Sequence, residues 1–168
     1  MNVLNKWSER PQEISHLLNP AYCGLLLYRA VIGFRRETQH GMPLATIAIV
    51  PTFVLHAGTR ARLPGSIITT LPTWIQTERD VLVRFAERTR NLVPFTREAL
   101  LFVMQRDLLV VDPEGRIDVG KAKIRGFTGY QQLSSEIADT CKRAEFVGRW
   151  LAHSGSPTTI YALLGIRP

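Results

Sequence analysis

The chain has 168 residues, of which 45% are hydrophobic and 21% are charged. This composition is typical of one globular domain and excludes a disordered, collagen-like or disulfide-scaffold protein. The 21 basic residues outnumber the 14 acidic ones and give a formal net charge of +7, which favours an acidic partner, although a basic solvated surface explains the surplus equally well.

Prolines mark the first two predicted helices. Pro11 begins a short helix that carries Leu17. Asn19 and Pro20 predict a second start, because asparagine caps a helix with its side-chain oxygen and proline fits the first turn. The second helix, predicted over about 20–36, is apolar on nearly every face. We therefore expect it to be the central and most buried element.

A third apolar segment begins at Pro43 and contains Pro51. We predict a helix that Pro51 bends, because proline removes one backbone donor. The β-branched residues of this segment also suit a strand, and propensity alone does not separate the two. A basic, turn-rich connection that includes Arg60 and Arg62 follows over 58–65.

Two further helices are predicted in the middle of the chain. Leu71 and Pro72 begin a long amphipathic helix that ends at Pro94, and another helix runs from Thr96 to near Asp107. The arginines of the first helix are predicted to point largely outward: Arg79, Arg84, Arg88 and Arg90.

A β-hairpin is predicted next. Short apolar or alternating runs over 108–111 and 116–119 form its strands, and the sequence Asp-Pro-Glu-Gly over 112–115 forms its turn. A basic loop over 120–126 follows the second strand.

The chain is predicted to end in a long helix over about 130–153 and a short helix over 158–164. All these elements together indicate a mainly α fold with a single domain over 1–168. In it a helical N-terminal part, about 1–65, packs on a winged-helix-like half, about 70–168, that contains one β-hairpin.

The segments near the N-terminus indicate where the protein resides. Residues 1–13 are polar where a secretory signal would be apolar, and the apolar stretches 21–34 and 44–55 fall short of the roughly 20 residues of a membrane helix. We therefore expect a cytoplasmic protein without a membrane partner. In that compartment Cys23 and Cys141, both in apolar helical settings, are expected to be buried free thiols.

One motif superficially predicts nucleotide binding. Gly115, Gly120 and Lys121 have the spacing of a phosphate-binding loop, but Ala122 stands where serine or threonine must hold magnesium. The residues between the two glycines alternate as a strand does. We therefore interpret the segment as part of the hairpin.

No catalytic or metal-binding constellation is recognised. The four histidines lack the spacing of a zinc site, and the acidic residues lie among basic ones. His56, close to Arg60, is interpreted as a structural histidine rather than part of a docking site. Cys23 is enclosed by leucines, which predicts an unreactive thiol. We expect no cofactor, no metal and no enzymatic activity.

Two basic features are candidates for contact with nucleic acid or another acidic partner. One is a pair on a helix face and the other is the wing of the hairpin with its following loop. The candidate residues are Arg84, Arg88, Arg116, Lys121, Lys123 and Arg125.

The order of these segments resembles a known protein family, the small middle component of bacterial three-component ABC systems. The resemblance rests on apolar and structural motifs that span nearly the whole chain. They are Arg10-Pro11, Leu17-Leu18-Asn19-Pro20-Ala21-Tyr22-Cys23, Leu25-Leu26-Leu27, Pro43-Leu44 to Pro51, Leu55-His56-Ala57-Gly58-Thr59-Arg60, Leu63-Pro64, Trp74-Ile75, Thr96-Arg97-Glu98-Ala99-Leu100, the hairpin strand from Leu108 to Val111 and the C-terminal run from Ile160 to Pro168.

The resemblance implies a non-catalytic adaptor subunit. Such a subunit works with an SMC-like or Rad50-like ATPase and with an effector, often a nuclease, in defence against phages or plasmids, and the Lamassu systems have a similar organisation. The assembled complex is expected to contact DNA. The alternatives are a stand-alone winged-helix DNA-binding regulator, which the hairpin and net charge favour, and an enzyme with an unrecognised site.

Overall fold

The computed structural model describes residues 9–124 and 134–167. The mainly α prediction is confirmed: the described residues form helices and one small three-stranded antiparallel sheet. In chain order the described elements are α1 Gln12–Leu17, α2 Pro20–Thr38, β1 Met42–Pro43, α3 Leu44–Val54, α4 Ala57–Ala61, α5 Leu71–Thr77, a 3₁₀ helix Arg79–Leu82, α6 Phe85–Met104, β2 Leu109–Val111, β3 Arg116–Val119, α7 Ser135–Ala152 and α8 Pro157–Leu163.

Capping residues begin several of these helices where the sequence places a proline. The side-chain oxygen of Asn19 accepts a hydrogen bond of 2.8 Å from the backbone N–H of Ala21, as predicted. Thr70 and Ser156 cap α5 and α8 in the same way, each one or two residues before a proline. The third apolar segment is a helix, α3, with Pro51 inside it, so the strand alternative is wrong.

The predicted break at Pro94 is wrong. α6 runs through Pro94, and the chain breaks earlier, between α5 and α6, where Arg84 adopts a left-handed φ of 57°. Proline in a helix leaves the carbonyl four residues before it without its donor. Here that carbonyl belongs to Arg90, which is exposed. The helix therefore tolerates Pro94. The turn-rich connection over 58–65 likewise contains a short helix, α4.

Helix α2 lies at the centre and packs against α3, α6, α7 and the sheet. It is not the most buried element, however, because eight of the eleven residues of α3 are buried against nine of the nineteen in α2. The backbones of α2 and α7 lie close together, with glycines at the points of contact. A Cβ added at Gly33 would lie 2.1 Å from the carbonyl oxygen of Glu145, and one at Gly148 would lie 1.9 Å from that of Ala30.

An aromatic cluster fills the core beside α3. The ring of Phe53 packs against those of Trp74, Phe85 and Trp150 at centroid distances of 5.0 to 5.8 Å. The indole N–H of Trp150 donates to the carbonyl oxygen of Thr69 at 2.6 Å. This bond satisfies the one polar group of a side chain that is otherwise apolar and buried.

The sheet has the order β1-β3-β2 and is antiparallel throughout. β2 and β3 form the predicted hairpin, and β3 has the predicted bounds. β1 was not predicted; its Met42 pairs with Ile117, and both side chains are buried. The N-terminal third thus shares a sheet with the hairpin. The winged-helix description and the division near residues 65–70 stay predictions.

The stretch Gln12–Thr38 is apolar and long enough to cross a membrane by length and composition alone, contrary to the expectation from 21–34. Half of its most apolar window is buried inside the described fold. The contacts of α2 with α3, α6 and α7 account for that apolar character, as in any core helix.

Candidate interaction surfaces

The two buried cysteines have thiols of low reactivity. Cys23 and Cys141 are buried and free, as predicted. Burial raises the pKa of the Cys23 thiol to about 12 and that of Cys141 to about 11. Both are therefore thiols at neutral pH, and thiols are poor nucleophiles. Within residues 9–124 and 134–167, no three His, Cys, Asp or Glu side chains are grouped to hold a metal ion.

The glycine spacing that resembles a phosphate-binding loop, Gly115 with Gly120, belongs to the β-hairpin. Gly115 adopts a φ of 76° in the turn, and β3 follows it directly and pairs on both sides. Gly120 ends the strand against the chain at Asp107, where an added Cβ would lie 2.1 Å from a carbonyl oxygen. Because the strand uses the backbone between the glycines for pairing, it does not form a free cradle for phosphate.

The basic residues of the wing have two different environments. Arg116 donates to Asp112 at 2.7 Å and to Glu114 at 2.9 Å, so the turn itself balances its charge. Lys121 and Lys123 are exposed after β3. Arg125, the fourth predicted contact residue of the wing, lies outside the described residues.

The two arginines of the predicted contact pair, Arg84 and Arg88, have different environments. Arg84 is exposed and makes two hydrogen bonds of 2.8 Å to Glu87. Arg88 turns inward and donates to the carbonyl oxygens of Val83 at 2.7 Å and Val81 at 2.9 Å. Burial, helped by the charge of Arg84, lowers the pKa of Arg88. In this conformation Arg88 closes the bend between α5 and α6.

His56 is a structural histidine, as interpreted from the sequence. It caps α4: its Nδ1 accepts a hydrogen bond of 3.1 Å from the backbone N–H of Thr59. Burial lowers the pKa of the imidazole, and the nearby charge of Arg88 acts in the same direction. Both effects favour the neutral ring, which the cap requires as an acceptor.

Ion pairs that sequence reasoning missed join α2 to α7. The carboxylate of Glu37 accepts from Arg149 at 2.6 Å and from His153 at 3.0 Å, and these hydrogen bonds lower its pKa. Glu145 pairs with both Arg29 and Arg36. Because the partners are more than 100 residues apart in sequence, no local pattern could have identified them.

A cleft that sequence reasoning also missed lies between α1, the start of α2 and the start of α7. It has a volume of about 580 Å³. The side chains of Leu17, Tyr22 and Ile137 give the cleft apolar walls, and Glu13 and Glu136 also line it and contribute carboxylates. Its described lining residues also include His16, but no lysine or arginine. In a chain of charge +7, the cleft is an acidic and partly apolar surface.

Comparison with known proteins identifies one family. The family described as "ABC-three component (ABC-3C) system Middle Component 3" has a sequence model that matches residues 7–168. No curated protein matches the chain, and no solved structure does.

Proposed function

The chain belongs to the Middle Component 3 family of ABC-three component systems, and from this premise we propose that it is a non-catalytic adaptor that bridges the other two components. Membership of this family implies that the chain works with other components of a three-component system. We propose that these components are an SMC-like or Rad50-like ATPase and an effector, often a nuclease. The three together would form a cytoplasmic antiphage or antiplasmid complex organised like Lamassu.

The single observation that carries the proposal is the family match, which leaves only six N-terminal residues outside it. The described chemistry is compatible with an adaptor. The cysteines are buried thiols of raised pKa, the phosphate-loop spacing belongs to a hairpin, and His56 caps a helix. The exposed chemistry instead consists of charged and apolar surface, which suits protein contacts.

We further propose that the assembled complex contacts DNA through the wing. Lys121 and Lys123 are exposed there, and Arg125 follows them in the sequence. Lysine side chains on such a loop act on phosphates as point charges, so the contact would be insensitive to DNA sequence. Arg116 would serve the turn rather than the DNA, because Asp112 and Glu114 already pair with it.

Co-expression tests the adaptor function. The tagged chain is produced together with the products of the two adjacent genes and is purified at low and at moderate salt. We expect all three products to co-purify and to elute together in size-exclusion chromatography. A chain that elutes alone at monomer size, while both neighbours are soluble in the same lysate, would overturn the proposal.

A stand-alone winged-helix regulator is the second candidate. The observation that favours it is the arrangement of β1 and the hairpin in one antiparallel sheet, together with the net charge of +7. A regulator binds a specific, usually palindromic site as a dimer. Footprinting on the upstream region of its own gene distinguishes the two: protection of such a site by the purified chain alone supports the regulator.

A further inference from the structure

We propose that the cleft between α1 and the start of α7 is the docking site for an amphipathic, Lys/Arg-rich helix of a partner subunit. The inference rests on the proposed adaptor function and names the surface and the chemistry of its partner.

Apolar exposure is the first observation. None of the residues of α1 is buried, although the helix carries two large apolar side chains. Ile14 is 38% exposed, and Leu17, which lines the cleft, is 56% exposed. A lone exposed leucine needs no explanation. Leu17, however, lies with the half-buried Tyr22 and Ile137 in a cleft of about 580 Å³. An apolar side chain of a partner that entered this cleft would be removed from water on several sides, which favours binding.

The charge around the cleft is the second observation. Glu13 is exposed on α1, and Glu136 is 79% exposed in the first turn of α7. Asp139, one turn further along α7, is 56% exposed. Arg60 approaches both acids of α7 at 3.4 and 3.7 Å, but its side chain is only 14% exposed and it donates to the carbonyl oxygen of Val54. Arg143, 36% exposed, also approaches Asp139 at 3.9 Å, so Asp139 contributes little free charge. The carboxylates that line the cleft itself belong to Glu13 and Glu136, and beside His16 they give its described lining an acidic character that complements a basic occupant.

The walls of the cleft determine the kind of occupant. They are helices and present side chains, whereas a bound β-strand needs a free strand edge for its backbone hydrogen bonds. A helix laid in a groove uses side chains alone: apolar residues at intervals of three and four enter the groove, and basic residues beside them meet the acidic rim. A second copy that presented its own α1 would bring a further acidic side chain, its Glu13, to a cleft already lined by Glu13 and Glu136, so like charges oppose such a homodimer.

The test compares substitutions in the purified three-component assembly. Leu17→Lys places a positive charge in the cleft, and Leu101→Lys is the matched control because Leu101 is also 56% exposed but lies on α6. The probes are the co-expressed products of the two adjacent genes. We expect Leu17→Lys to retain at least tenfold less of one of them, Leu17→Glu to retain more than Leu17→Lys, and Leu101→Lys to behave as wild type. Thermal melting of each free variant should match that of wild type.

The outcomes separate this inference from the proposed function. If the wild-type chain retains neither neighbour, the adaptor function fails and the docking site with it. If the wild type retains both and Leu17→Lys does so equally, the docking site fails and the adaptor function stands. If Leu17→Glu loses more than Leu17→Lys, the occupant is not basic. A concentration-dependent dimer in light scattering that Leu17→Lys abolishes would identify a second copy as the occupant and overturn the proposal.

Discussion

The contact between α2 and α7 allows a sharp prediction for Gly148→Ala. The added Cβ would lie 1.9 Å from the carbonyl oxygen of Ala30 and 2.7 Å from its carbonyl carbon, whereas carbon atoms in contact normally lie about 3.5–4.0 Å apart. Because both obstructing atoms are backbone, no side-chain rotation relieves the overlap, and the two helices must separate. Overpacking of this kind costs about 1–3 kcal/mol and occasionally more.

Helix propensity acts in the opposite direction, because alanine in a helix interior is favoured over glycine by about 1 kcal/mol. Because the clash is with backbone, we expect the upper end of that range, about 3 kcal/mol, and therefore a net loss of roughly 2 kcal/mol in the free energy of unfolding. For a chain of this size, that corresponds to a fall in Tm of about 4–8 °C. Urea unfolding monitored by tryptophan fluorescence would measure the change in the free energy of unfolding, and calorimetric melting would measure the change in Tm.

Gly65→Ala is the matched control. Gly65 is exposed and has no atom within 4 Å of an added Cβ. Its substitution should be neutral or stabilise the fold by about 0.4–1 kcal/mol, because alanine restricts the unfolded chain more than glycine does. A Gly148→Ala protein as stable as wild type or the control would refute the close approach of α2 and α7 described above.

Three further predictions concern the core, an ion pair and the wing. Leu26→Asp should abolish soluble expression, because Leu26 is fully buried and an unpaired charge there costs several kcal/mol; a soluble variant with a wild-type melt would contradict this. The pKa of Glu37 is lowered in the fold, so its contribution to stability is present above its unfolded pKa of about 4.3 and is lost as the pH falls through its folded pKa. The Tm difference between wild type and Glu37→Gln should therefore be largest near neutral pH and shrink below pH of about 4. Charge reversal at Lys121, Lys123 and Arg125 together should weaken DNA binding by the assembled complex equally for all sequences and flatten its salt dependence, while subunit assembly survives; an unchanged affinity and salt slope would assign the wing to another partner.

Local chemistry explains which elements the sequence predicts well. Asn19 with Pro20 supplies the predicted cap and preset first turn of α2 within two residues. Ser156 with Pro157 does the same for α8, although the sequence predicts only a break there and a helix from Thr158. The hairpin turn is equally local: Asp112 accepts hydrogen bonds from the backbone N–H groups of Glu114 and Arg116. None of these devices requires a distant partner, and the structure confirms the Asn19 cap and the hairpin turn.

The elements that the sequence does not predict depend on distant partners. β1 has only two residues, and one of them is a proline; it exists because β3, more than seventy residues later in the chain, pairs with it. Pro94 normally ends a helix, yet α6 continues through it, because the carbonyl that loses its donor belongs to the exposed Arg90 and α6 also packs on α2 and α3. The cleft at α1 likewise depends on α7 lying beside a segment that precedes it by more than a hundred residues.

Several of the arginines that contribute to the net charge form ion pairs within the fold. Arginines that could have served an acidic partner instead join distant elements: Arg10 with Glu98, Arg35 with Asp118, and Arg149 with Glu37. Arginine suits this role because its planar group forms several fixed hydrogen bonds, whereas lysine is a flexible and strongly hydrated point charge. For the proposed DNA contact, the exposed Lys121 and Lys123 are therefore better placed than Arg84 and Arg88, which form hydrogen bonds within the chain. The acidic cleft at α1 is correspondingly suited to a basic protein, so under the proposed adaptor function the chain would present surfaces of opposite charge to two different partners.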